Sequence, residues 1–161
     1  MKKDIIKYGI LAGVSVVAYY LLFYFLSKTT MLGMGVFGGS LLIYAFFMYL
    51  TAKNIVEEDF KKLLRATFAL FLLANLFYYI FDYTLFNVID PDLADRQKEL
   101  AIEVYKKNTP LAEQRSLVDA IRNANIHTPQ YLAFLYVRSA IGGFCLAFLV
   151  CFFTKKQFAK R

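Results

Sequence analysis

Few side chains in this sequence are of the types that do chemistry. The 161 residues include one histidine, His127, and two cysteines, Cys145 and Cys151. A single imidazole supports neither a histidine-rich metal site nor a haem pair, and no nucleophile stands near it in sequence. A satisfied or solvated histidine is the plainer expectation. The cysteines lie six apart in an apolar run, without metal-ligand or redox spacing, and are expected to be reduced and inert. All eight glycines fall in apolar stretches, which leaves none for a phosphate-cradling loop. These residues imply no catalytic set, no metal and no cofactor. The chain is therefore expected not to be an enzyme.

Two constellations remain. Asp82 is seventeen residues from Arg65, and Arg138 is seventeen from Lys155. Each would lie ~25 Å from one membrane boundary at 1.5 Å per residue. Opposite charges at matching depth invite an ion pair; the alternative is that each snorkels outward separately. Asn75 is the one polar side chain placed to extend such a site inward. The other constellation is small residues: Gly9 and Gly13, Gly35 and Gly39, then Ser139, Gly143 and Ala147. In lipid, helices associate by close backbone approach, which small residues at spacing four permit. The Gly39 and Gly143 faces are expected to meet near mid-membrane, with dimerisation as the alternative use.

The elements that must position these residues follow from composition. AVILMFWYC residues make up 59% of the chain and charged residues 19%, and mean hydropathy is +0.48. That leaves too little polar surface for a soluble globule, and it excludes a disordered tail, a disulfide-stapled domain and a zinc module. Uncharged runs cover Tyr8–Ser27 and Thr29–Ala52, and two more separate Arg65 from Asp82 and Arg138 from Lys155. About twenty apolar residues cross ~30 Å of hydrocarbon. The spacing predicts an all-α polytopic membrane protein, a four-helix bundle with spans roughly 8–27, 29–52, 66–88 and 130–154. It is read as one membrane domain over 1–161. The first span follows a basic flank but offers no small-residue cleavage site, so it is expected to remain as an anchor.

The N-terminus, the 53–65 segment and the C-terminus carry eleven basic and four acidic residues, the whole net charge of +7. The other side carries eight of each. Basic excess near span ends stays inside, so both termini are expected in the cytoplasm. The basic balance is thus a topology signal; no groove-reading motif accompanies it, and no nucleic-acid partner is expected. Tyr19, Tyr20, Tyr24, Tyr78, Tyr79, Tyr83, Tyr131 and Tyr136 gather at the outer span ends. An interfacial belt is the default reading, with a tyrosine-lined cavity as the alternative.

Ser27–Thr30 is expected to join spans one and two as a tight antiparallel hairpin. Asn54 with Glu57 has capping-box spacing. It would start a surface-lying helix striped by Ile55, Val56, Phe60, Leu63 and Leu64, with Glu57–Lys61 and Glu58–Lys62 pairs. The extracytoplasmic insert, roughly 89–129, holds all three prolines, as Asp90-Pro91, Thr109-Pro110 and Thr128-Pro129. A capping residue before proline starts a helix, so the insert reads as a helical hairpin followed by span four. Leu93, Leu100, Ala101 and Val104 stripe its first helix; Leu111, Leu117, Val118 and Ile121 stripe its second.

With these residues in view, the chain resembles a bacterial family of four-span membrane proteins catalogued only as a domain of unknown function, four-one-nine-nine. The resemblance rests on the opening Lys2-Lys-Asp-Ile-Ile-Lys-Tyr-Gly-Ile-Leu-Ala-Gly13, on Phe86-Asn-Val-Ile-Asp-Pro-Asp92, on the charged helical insert and on a last span ending in Lys155-Lys156. The segment between spans two and three is shorter than the family pattern. The resemblance implies a bacterial inner (cytoplasmic) membrane address and carries no catalytic residues. The functional expectation is a non-enzymatic accessory or assembly subunit. It would contact membrane lipids, another membrane protein or its own copies through the outer hairpin and the small-residue faces. The alternative is a small oligomeric transporter or channel using Asp82, Arg138 and Asn75. A lipid-modifying enzyme ranks third.

Overall fold

A computed structural model describes residues 2–55, 59–108, 111–124 and 126–158, and no strand occurs among them. The helices are α1 (Lys2–Leu26), the single turn α2 (Lys28–Met31), α3 (Met34–Asn54), α4 (Phe60–Thr84), a π-helical turn (Leu85–Ile89), α5 (Asp92–Asn108), α6 (Leu111–Asn123) and α7 (Pro129–Phe158). Four are long and apolar enough to cross a membrane: Lys3–Leu26, Met34–Asn54, Phe60–Ile89 and Pro129–Lys156. A helix closes every backbone hydrogen bond within itself, which lipid demands of a spanning segment. The fold class is therefore the expected one, an all-α polytopic membrane protein.

Span limits move outward at α4 and α7, where Lys61, Lys62, Arg65, Lys155 and Lys156 ride on the helix ends. Long basic stems lie along apolar surface while their charges reach water. The link between α1 and α3 is longer than expected. Ser27 caps α2 by accepting from the Thr30 backbone N–H at 3.2 Å, and α3 opens only after Gly33. Asn54 is corrected from a helix start to a helix end: it is the last residue of α3, and its Nδ2 donates to the Tyr8 hydroxyl at 3.4 Å. Residues 56–58, and with them the two Glu–Lys pairs, lie outside the described residues. The surface helix expected there is, from Phe60 onward, the first turns of α4.

The chain falls into two compact units, one of Met1–Phe81 with Ala133–Arg161 and one of Asp82–Leu132. In the first, α4 is the shared neighbour of α1, α3 and α7. Gly9 and Gly13 of α1 lie against Leu73 and Phe77 of α4, where an added Cβ would come within 2.8 Å. Phe68 and Phe60 of α4 meet Phe144 and Phe148 of α7 edge to face, with centroids 5.6 Å apart in each pair. Ala52, Leu63 and Cys151 form a fully buried cluster joining α3, α4 and α7.

The expected meeting of Gly39 with Gly143 does not occur. A methyl group at Gly39 would overlap the Tyr19 hydroxyl, and one at Gly143 would overlap the Phe71 ring. Each notch is filled by an aromatic side chain of a neighbouring helix, which gains more dispersion contact than two bare backbones. Gly35 faces open space.

In the second unit α5 and α6 run antiparallel. Lys98 Nζ donates to the Arg122 carbonyl at 3.2 Å, and Gln114 Nε2 donates to the Lys106 carbonyl at 3.1 Å. Leu93 and Ile102 are the buried residues of α5, whereas Val104, expected on the apolar stripe, is 58% exposed. Ile102, nine residues on, lies about half a turn round the helix from Leu93, so burial on α5 does not follow the single stripe that the spacing predicts. Thr128 caps α7 as expected, accepting from the Tyr131 backbone N–H at 3.3 Å. Thr109-Pro110 lies outside the described residues.

Candidate functional site: an intramembrane groove and a buried histidine

In the membrane unit the polar residues are tied together across helices. Asn75 of α4 donates through Nδ2 to the Ser139 hydroxyl of α7 at 2.6 Å. Its Oδ1 accepts from the Tyr44 hydroxyl of α3 at 3.5 Å. Ser139 in turn donates to the Tyr136 carbonyl at 2.7 Å, and the Tyr136 hydroxyl donates to the Leu72 carbonyl at 3.0 Å. An amide in hydrocarbon must be partnered, and this one links three spans. Thr67 adds a further link, with its hydroxyl 3.2 Å from Cys151 Sγ.

Beside this chain runs a groove of about 560 Å³. Phe37, Ser40, Leu41 and Tyr44 of α3 form one wall, and Phe71, Asn75, Tyr78 and Tyr79 of α4 form its back. The other wall is α7, from Leu135 to Leu149, with Arg138, Gly142 and Cys145 between. The fourteen-residue advance along α7 makes the groove ~21 Å long. Tyrosine rings connect its helices: Tyr20 with Tyr78 at 5.0 Å, Tyr78 with Tyr79 at 5.3 Å, and Tyr79 with Tyr136 at 5.8 Å between centroids. Tyr20, Tyr78 and Tyr79 line the groove, together with Tyr44. Ring-to-ring contact and a hydroxyl that can find a partner hold tyrosine inside the bundle.

The second site surrounds His127, 6% exposed, in the Asp82–Leu132 unit. Nδ1 lies 3.2 Å from Asp82 Oδ2, and Nε2 lies 2.7 Å from Gln97 Oε1. The Phe86 ring stacks on the imidazole at 3.7 Å between centroids and 7° between planes. Asn87 Nδ2 donates to the His127 carbonyl and to the Tyr83 carbonyl, at 3.0 Å each. Local structure explains the convergence. Asp82 and Phe86 are one helical turn apart and share a face. The π-helical turn then closes with the Asp90 backbone N–H donating to the Leu85 carbonyl at 2.8 Å. Such wide turns recur at functional positions.

Asp82 is therefore paired with His127, and Arg138 stands on the groove wall. Asn75 shares that groove with Arg138; Asp82 is not among its lining residues. Of the predicted packing set, Gly9, Gly13, Gly39, Gly143 and Ser139 engage neighbouring helices, each with an aromatic, leucine or amide partner. Sequence reading missed Gln97, Phe86 and Asn87. The available signal was Asp82 and Phe86 at one-turn spacing; Asn87 and Gln97 carried none. Among the described residues no group of three His, Cys, Asp or Glu could hold a metal.

Residues 7–156 match the model of a protein family described as "Protein of unknown function (DUF4199)". No curated protein and no solved structure matches the chain. The match reaches into all four spans and covers both sites, and the chain belongs to the DUF4199 family.

Proposed function

We propose that this protein is a non-enzymatic accessory or assembly protein of the bacterial inner membrane. In this reading both termini are cytoplasmic and the α5–α6 pair is an outward-facing docking element. The Gln97–His127–Asp82 chain carries the reading. An aspartate-oriented histidine is the arrangement that activates a serine or cysteine, yet the far side of this ring holds a carboxamide, which is no nucleophile. The histidine instead holds α5 to the end of α4 through two hydrogen bonds and a ring stack. A fixed helix pair suits recognition, because less ordering entropy is lost on contact. Val104 and Tyr105 of α5 are 58% and 49% exposed and supply an apolar contact point. The charge asymmetry of the loops supports the orientation.

Photoreactive side chains placed at positions 104 and 105 in cells test the proposal. Both are expected to yield the same membrane or envelope adduct, and His127→Ala is expected to abolish it. No reproducible adduct from either position would defeat the reading. Orientation is read with Tyr105→Cys in a background lacking Cys145 and Cys151: an impermeant maleimide should label intact cells. Labelling only after lysis would reverse the topology.

A further inference from the structure

Packing does not account for Arg138. It is exposed within the span Pro129–Lys156, and among the described residues nothing pairs with it. It lies seventeen residues, ~25 Å, from Lys155, in the outer part of the span, where a guanidinium gains by reaching an anion at the headgroup boundary. One turn further along α7, a Cβ added at Gly142 would meet no neighbouring atom of the described residues within 4 Å, so the groove wall beside Arg138 is open there. The groove then continues past Cys145 to Leu149, with an apolar lining at that end. A cation at one end of a long apolar trough is the complement of an amphiphile with an anionic head.

We propose that the groove binds one anionic phospholipid, with an acyl chain lying along α7 over Gly142 and the headgroup phosphate on Arg138. The guanidinium fork matches phosphate oxygens and is weakly hydrated enough to do so below the headgroup plane. A second copy of the chain is the competing occupant, and charge decides against it. The spans contain two acidic side chains, Asp4 in the first turn of α1 and Asp82, and His127 engages the latter. Dimensions agree. The groove's ~21 Å length matches an extended acyl chain lying along α7.

Native mass spectrometry of the full-length protein tests this, released from mild detergent with equal phosphatidylglycerol and phosphatidylethanolamine. The wild type is expected to retain one phosphatidylglycerol in preference. Arg138→Gln should reduce that preference by about tenfold, the loss expected of a charged hydrogen-bond partner, and Arg138→Lys should keep most of it. Gly142→Phe fills open space and should expel both lipids while the helical circular dichroism is unchanged. If that variant does not fold, the Arg138 pair decides the matter alone. Equal retention of the two lipids by the wild type, or an unchanged preference in Arg138→Gln, overturns the proposal. So does displacement of the lipid by inorganic phosphate, which would assign a soluble anion. A lipid-free dimer that Gly142→Phe converts to monomer would assign the groove to a second copy and overturn it equally.

Discussion

Nδ1 of His127 lies 3.2 Å from Oδ2 of Asp82, a residue 45 positions earlier, and both are almost wholly buried. Removing one partner of such a pair leaves the other desolvated and unmatched. His127→Ala is expected to destabilise the Asp82–Leu132 unit by about 1–3 kcal/mol. Protease susceptibility of the α5–α6 region in detergent should rise accordingly. Asp82→Asn combined with His127→Ala should cost less than the sum of the two, because both remove the same contact.

Adjacent glycines of α7 are expected to behave oppositely. Gly143 receives the Phe71 ring, whereas among the described residues nothing stands within 4 Å of where a Gly142 Cβ would lie. Gly143→Leu should therefore overpack the α4–α7 contact and cost about 1–3 kcal/mol or more. Gly142→Leu should leave the thermal midpoint in detergent close to that of the wild type. Equal loss in both would refute the close approach of Phe71.

Asn75 joins Tyr44 and Ser139. Interhelical hydrogen bonds in lipid average ~0.6 kcal/mol and reach ~1.7 kcal/mol. Asn75→Leu should lower stability within that range, as read from unfolding in mixed detergent. Ser139→Ala should give a similar loss, and the double variant less than the sum, since both remove the same bond.

Thr51 is buried in α3, and its hydroxyl has no hydrogen-bond partner among the described residues. Thr67 and Thr154 face the same constraint and donate to the Leu63 and Val150 carbonyls. An unmade buried hydrogen bond costs about 1–3 kcal/mol. Thr51→Val keeps the shape and removes the polar atom, so it is expected to raise the thermal midpoint. A fall would indicate a hydroxyl that is satisfied after all.

Much of the architecture was legible because lipid imposes a one-dimensional rule. A spanning helix must be long, apolar and internally hydrogen-bonded, and the distance between charges reads that directly. Thr128 before Pro129 likewise announced the start of α7, since an N-cap is a local matter. Asn54 did not announce a helix, because the same residue type serves helix ends and starts. The expected Gly39–Gly143 contact failed for a related reason. Spacing identifies a notch, but not which neighbouring side chain fills it, and here rings from α1 and α4 do.

The amino-acid sequence by itself determined the solvent, the four spans and the helical insert, all properties of residues near one another in the chain. Only the tertiary structure decided that Asp82 belongs to His127, that Asn75 ties Tyr44 to Ser139, and that Arg138 is left on an open groove. Those pairings depend on the rotation of each helix about its axis. Rotation is set by how notches and rings interlock across the bundle, and no single segment encodes it.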